Sequence, residues 1–221
     1  MRSVDVQWMN LDAAENDVAA SARILSDDER RRADRFHFPR DRRRYILRHG
    51  KLRQLLSNYL GIAPADLVFE HNSFGKPALG ESNLKFNISH SHGMALFAIA
   101  YDVEIGCDIE RCDPQFAAEQ ISEHFFAEDE VRKLRALAPT QQTSAFFRCW
   151  TRKEAYIKAR GRGLSIPLDS FEVSLAPGEP AALLRGCDGW TLQSFEPVPG
   201  YEAAVVAAGA DWRLNCLPLA A

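Results

Sequence analysis

A chain of 221 residues, 46% hydrophobic and 26% charged, has the makeup of an ordinary globular protein, long enough for one large domain or two small ones. Its net charge of −3 gives no overall basic character, which argues against a general nucleic-acid binder, and no apolar stretch approaches the roughly 20 residues of a membrane span. Five cysteines (Cys107, Cys112, Cys149, Cys187, Cys216) contain no CxxC pair, which argues against a disulfide framework or a zinc knuckle and for a reducing cytoplasm.

The first residues, MRSVDVQWMN, alternate as a strand and lack the basic start and apolar core of a signal peptide. Charge then becomes uneven: from Arg23 to Arg53 there are twelve Arg or Lys against five acids. The segment reads as two helices broken near Pro39. Ser26 is placed as an N-cap with acids in the first turn. Leu47, Leu52, Leu55, Leu56, Tyr59 and Leu60 form an apolar stripe, and Gly61 stands where a C′ glycine belongs. The basic run is either a solvated helix face or a phosphate-docking surface, with Arg42–Arg44 offering bidentate donors.

LVFEHNSFGKPAL follows as strand–turn–strand, then LKFNISHSHGMALFAIAYD as two strands joined around Ser91–Gly93. The pattern repeats with a helix pair, FAEDEVRKLRAL and SAFFRCWTRKEAYIKARG, and then strands in DSFEVSLAPGEPAAL and DGWTLQSFEPVPGYEAAVVAA. Pro64, Phe69 and Pro77 find counterparts at Pro167, Phe171 and Pro180. The expected architecture is α+β, two similar α+β halves (1–104 and 105–221) related by a pseudo-twofold, with a ligand site at their junction.

Two acids lie two apart in GCDIE, where the apolar run MALFAIAYDVEI should be ending as a strand. Alternation puts Asp108 and Glu110 on one face, where like charges repel unless a cation intervenes. The bland reading is a solvated strand end. In WTRKEAYIKARGRG, read as a helix from Trp150 to Gly163, Trp150, Glu154 and Lys158 share a face, and Glu154–Lys158 can be a mere helical ion pair. If Glu154 meets Asp108 and Glu110, three hard oxygen donors make a Mg²⁺ site, with Lys158 beside it for a phosphate. Lys76 in a rigid Gly-Lys-Pro turn, and Ser89, His90, Ser91 and His92 at a strand end, add phosphate donors. His90 and His92 lack a third ligand for zinc.

GCDIE resembles the GxDxE motif, and WTRKEAYIK the W(S/T)xKEA(Y/F)xK motif, of the Sfp-type 4′-phosphopantetheinyl transferases; FGKP, NISHS and GLSIPLDSF are similar to further family stretches, in order. The resemblance spans roughly Leu25 to Phe171. It implies a monomeric cytoplasmic enzyme that moves the phosphopantetheine arm of coenzyme A, its co-substrate, onto a serine of an apo acyl or peptidyl carrier protein, releasing adenosine 3′,5′-bisphosphate. No nucleic acid or membrane partner is implied. The resemblance makes Asp108, Glu110 and Glu154 the ligands of Mg²⁺ (or Mn²⁺) and puts Lys158 on the coenzyme A phosphates. It makes Lys76, Ser89 and His90 coenzyme A contacts, and places Arg44 by the adenine and 3′-phosphate and Arg32 on the preceding helix. Glu130 is the expected general base for the carrier serine. Glu29 stands where some members carry lysine, and Cys107 replaces an aliphatic residue. Residues near Phe125–Arg135 are expected to face the carrier. Two rival readings stand beside it: a metal-dependent nuclease or phosphatase using the three acids, which would want a longer basic track, and a non-catalytic nucleotide-binding module whose basic helices dock an acidic partner, which would not need the three acids.

Overall fold

The structure, a computed structural model, describes residues 2–13, 17–116 and 118–218. Its elements come in two runs of the same kind. The first is β1 (Arg2–Asn10), α1 (Val18–Arg23), α2 (Asp27–Asp34), α3 (Pro39–Leu60), a 3₁₀ turn (Pro64–Asp66), β2 (Glu70–His71), β3 (Pro77–Ala78), β4 (Leu84–Ser91) and β5 (Met94–Tyr101). The second is β6 (Ile105–Arg111), α4 (Ala118–Phe125), α5 (Glu128–Ala136), α6 (Pro139–Ala159), two 3₁₀ turns (Gly163–Ser165 and Leu168–Ser170), β7 (Glu172–Val173), β8 (Leu183–Arg185), β9 (Trp190–Phe195) and β10 (Tyr201–Ala208). A last strand, β11 (Trp212–Pro218), crosses back and pairs in parallel with β1. The first sheet therefore runs β11-β1-β5-β4 and the second β6-β10-β9.

The two sheets pack face to face. Val4, Val6, Leu96 and Ala98 from one meet Ile105, Cys107, Ile109, Ala203 and Val205 from the other in a shared buried layer. α3 covers the outer face of the first sheet through Leu47, Leu52, Leu55 and Leu56 against Phe86, Phe97 and Ile99. α6 covers the second through Phe146, Ala155, Tyr156 and Ala159 against Ala204 and Val206. Cys107, fully buried in the middle layer, takes the aliphatic place expected of it.

The local signals act as their chemistry dictates. Ser26 caps α2 with Glu29 in a reciprocal capping box. Pro39 opens α3, and Gly61 closes it at φ 69 in the left-handed region. Two boundaries differ from the sequence reading. MALFAIAYDVEI is not one run into GCDIE: Asp102 turns the chain at φ 57, ending β5 in one sheet before β6 begins in the other. The second long helix starts at Pro139 and ends at Ala159, because Gly161 adopts φ 66. The strands read in 169–183 shrink to the short pair β7 and β8, the second of which runs on to Arg185.

Glu29 does more than cap. Arg53, 1% exposed, bonds Glu29 Oε2 (2.7 Å) and the carbonyls of Pro64 (2.8 Å) and Leu67 (3.0 Å), tying α2 and the turn after α3 to the α3 face. Burial would raise the Glu29 pKa, but hydrogen bonds from His49, Arg53 and the Ser26 amide hold it down at about 2. Unfolded Glu29 takes up its proton near pH 4.5, so between there and about 2 the unfolded chain binds more protons and stability falls as pH falls. The contribution is about 3 kcal/mol at neutral pH. In urea titrations Glu29→Gln should be less stable than wild type at pH 6 by an amount of that order, and the gap should narrow by about 1 kcal/mol or more by pH 3.5. A gap that is the same at both pH values would show that Glu29 is not the titrating link.

Candidate active site

β4 and β6 lie at the edges of their sheets and run beside each other. Side chains, not a backbone ladder, join them. Asn87 Oδ1 accepts from the Cys107 amide (2.8 Å), Ser89 Oγ donates to Asp108 Oδ1 (2.6 Å), and Ser91 Oγ donates to Glu110 Oε2 (2.6 Å). The alternation of NISHS supplies this polar seam: Asn87, Ser89 and Ser91 point to β6, while Phe86 and Ile88 join the layer under α3. The serines flagged as phosphate donors are thus bonded to the acid pair, and the two acids share a face as the alternation requires.

α6 brings the other charges. Gly106 lets it approach: a Cβ there would stand 2.2 Å from both the Ala155 carbonyl oxygen and the Ala159 amide nitrogen. Lys158 Nζ then reaches Asp108 Oδ1 (2.6 Å) and Ser89 Oγ (3.1 Å). Glu154 lies close enough for its charge and that of Glu110 to disfavour one another. Burial, reinforced by Asp108, pushes Glu110 up to about 7. Burial also raises Glu154, with Lys158 opposing and Asp108 adding to it. Burial disfavours the Lys158 ammonium, but Asp108 and Glu154 more than offset this and raise its pKa.

No three His, Cys, Asp or Glu side chains among the described residues are gathered tightly enough to hold a metal as they stand. The donors nevertheless suit a hard dication in kind. Asp108 Oδ2 is buried without a hydrogen-bond partner among the described residues, and burial, reinforced by the Asp108 charge, raises the pKa of two further carboxylates, Glu110 and Glu154. Asp108, Glu110 and Glu154 fit a divalent cation, with Lys158 occupying the nearest position to Asp108.

A cavity of about 680 Å³ opens between α2, α3, β4 and the β2–β3 turn, and its link to this cluster is His90, which follows Ser89 on β4 and feels the charge of Lys158. Arg32, Tyr45, Arg48, His49, Gly75 and His90 line it. Arg32 and Arg48 flank the Tyr45 ring at 6.0 and 5.6 Å, and neither meets a carboxylate among the described residues. Burial and the neighbouring cations Arg48 and Lys158 push the His90 imidazole down to about 4, so it faces the cavity neutral at pH 7. Arg48 was missed by sequence reasoning, which took Arg42–Arg44 as a unit. Those three are used elsewhere: Arg42 on Asp34 (2.8 Å), Arg43 on the Ala13 carbonyl (2.8 Å), and Arg44 on Asp12 (Nε–Oδ1 2.8 Å). Arg44 lines a separate cavity of about 960 Å³ with Trp8, Lys51 and Tyr201, so it is not brought to the Arg32–His90 cavity. Successive helical residues point about 100° apart, so a run of three cannot serve one pocket.

Two further expectations move. Lys76 does not point into the cavity that Gly75 and Pro77 line; its ammonium is held by the Ile105 and Ala159 carbonyls (3.0 and 3.1 Å) and Glu104 (3.3 Å). Glu130, at 1% exposure, is paired with Lys153 Nζ (2.7 Å) and accepts from the Ala127 and Val173 amides (2.9 and 2.8 Å). A proton acceptor for an incoming hydroxyl must be reachable, and both Glu130 oxygens are occupied inside the α5–α6–β7 packing.

Comparison with known proteins agrees with the arrangement of two halves. Residues 104–206 match the family model of the 4′-phosphopantetheinyl transferase superfamily, and residues 7–101 match that of the 4′-phosphopantetheinyl transferase N-terminal region. The 4′-phosphopantetheinyl transferase HetI of Nostoc is 42% identical over 207 residues, 92% of this chain and 86% of its own length. The 4′-phosphopantetheinyl transferase Sfp of Bacillus subtilis is 33% identical over 193 residues, 86% of this chain and 84% of its own. With both halves matched and relatives aligned along most of their length, the chain belongs to the 4′-phosphopantetheinyl transferase superfamily and is an enzyme of that class.

Proposed function

We propose that this enzyme transfers 4′-phosphopantetheine from coenzyme A to a serine of an apo acyl or peptidyl carrier protein with Mg²⁺, or Mn²⁺ in its place, and releases adenosine 3′,5′-bisphosphate. The observation that carries the reading is the buried Asp108 Oδ2, without a hydrogen-bond partner among the described residues, near Glu110, Glu154 and Lys158, together with a cavity lined by His90 and by two arginines that meet no described carboxylate. Asp108, Glu110 and Glu154 would hold the cation, which when bound neutralises charge on the donor's diphosphate. Arg32, Arg48 and neutral His90 accept the nucleotide end, the arginines matching its anionic groups and Tyr45 its base. Lys158 stays charged and stabilises the departing bisphosphate, since phosphoryl transfer needs alignment and charge neutralisation more than covalent help. Serine deprotonation falls to a group in reach of this seam, not to Glu130. The same reading takes the enzyme to act as a cytoplasmic monomer; among the described residues no helix is long and apolar enough to cross a membrane.

Apo peptidyl, acyl and aryl carriers incubated with enzyme, coenzyme A and Mg²⁺ should each be weighed by mass spectrometry. One phosphopantetheinyl addition on a single serine is expected, and no addition on any carrier would refute the reading. Asp108→Asn and Glu154→Gln should each cut kcat by about 100-fold or more, since the ion loses a ligand and the remaining acids repel. Glu130→Gln should instead act on stability, losing about 3–5 kcal/mol by stranding Lys153 in the interior. Full stability with a selective fall in kcat would restore Glu130 as the base. For the carrier surface, Phe125 is 46% exposed and Arg132 and Arg135 line a groove on α4 and α5 with Val131. Arg132→Glu should raise the carrier KM and leave the coenzyme A KM alone; an unchanged carrier KM would move the docking face elsewhere.

A further inference from the structure

The turn between β2 and β3 does something that neither its length nor its exposure suggests. Asn72 Oδ1 accepts from the amides of Phe74 and Lys76 (both 2.9 Å), so the turn is braced from within. Two side chains then leave it for the far half of the molecule. Asn72 Nδ2 donates to the Gly161 carbonyl (2.7 Å), just past the end of α6. Lys76 Nζ donates to the carbonyl of Ala159, the last residue of α6, to the carbonyl of Ile105, the first of β6, and to Glu104. Its three hydrogens are thereby all used.

The place gripped is where α6 and β6 touch through backbone. Gly106 adjoins Ile105, and a Cβ on it would collide with Ala155 and Ala159. Gly161 sits at φ +66 with Asn72 Nδ2 and Lys76 Cδ each 3.2 Å from the position of a Cβ, so the contact is tight on that side too. The final carbonyls of a helix have no partner of their own, and a cation there also meets the negative end of the dipole. From these anchor points Lys158 is one residue back along α6, and Asp108 is three residues on along β6.

We propose that Asn72 and Lys76 are positioning residues: together they clamp the last turn of α6 onto the start of β6 and so set Glu154 and Lys158 opposite Asp108 and Glu110. The roles of those four rest on the function proposed above. Lys76 then acts from behind the site, through α6, and does not touch coenzyme A.

Asn72→Ala, Lys76→Met and the double variant test this, with Mn²⁺ affinity in the absence of coenzyme A, melting temperature, kcat and the coenzyme A KM as readouts. Each single variant should weaken Mn²⁺ binding about tenfold and lower kcat. The double variant should be no worse than the more damaging single one, because either change frees the same turn. A raised coenzyme A KM in Lys76→Met with unchanged Mn²⁺ affinity would make Lys76 a direct contact and overturn the clamp. A lowered melting temperature with unchanged Mn²⁺ affinity and kcat would overturn it as well, leaving only a fold staple. A wild-type protein that binds Mn²⁺ but modifies no carrier would sink the functional reading, while the Mn²⁺ series would still decide the clamp; no Mn²⁺ binding by wild type would overturn both.

Discussion

A carboxylate with one oxygen satisfied and the other buried bare is the constraint around which this molecule is organised. Asp108 meets Ser89 and Lys158 through Oδ1, and Oδ2 has no partner among the described residues. Such a group costs several kcal/mol unless charge of opposite sign is brought close. Glu110, raised to about 7, shows the same shortage from a neighbouring position. Much of the surrounding structure manages that shortage. β4 gives hydroxyls where a sheet edge would have had backbone partners, Gly106 admits a helix at backbone contact, and that helix delivers one cation and one further acid. A dication and a diphosphate are mutually suited to a place that lacks positive charge and is framed by hard oxygens.

Pseudosymmetry shows why there is one such place and not two. β5 and β10 are of equal length, and counting from their first residues sets Gln7 and Met9 on β1 where Asp108 and Glu110 stand on β6. Counting back from Gly61 and Gly161, Gln54 on α3 stands where Glu154 stands on α6. The second seam, between β1 and β9, is closed by Trp8 against Phe195 with ring centroids 5.7 Å apart. The repeated framework supplies two equivalent junctions. Neutral and aromatic side chains close one, and acids and serines open the other to charged ligands.

Several residues with chemically suggestive side chains prove to hold the frame. Lys153 is wholly buried over the Phe171 ring at 4.4 Å and neutralises Glu130, so the two form an internal tie between α5, α6 and β7. Glu29, Arg53 and His49 do the same between α2 and α3. In each case charged groups are consumed by one another, whereas Arg32 and Arg48, which meet no carboxylate among the described residues, line the cavity.

Local chemistry was legible in the sequence wherever a short-range rule decides the outcome. Alternation put Asp108 and Glu110 on one face, Ser26 followed by first-turn acids marked the start of α2, Gly61 marked the end of α3, and the motif spacing named the family. Helix periodicity also put Glu154 and Lys158 on one stripe. Partner choice was not legible, because it depends on which side chains distant segments bring within about 3 Å. Arg44 was lost to Asp12, Lys76 to carbonyls of β6 and α6, and Glu130 to Lys153, while Arg48 lies against the Tyr45 ring and meets no carboxylate among the described residues. The return of β11 to the first sheet belongs to the same class, since nothing within Trp212–Pro218 specifies β1 as its neighbour. The sequence by itself determined which residues carry charge and which way each points along its own element. Only the tertiary structure decided which of those charges would already be spent, because ion pairing falls off steeply with distance and the distances are set by packing.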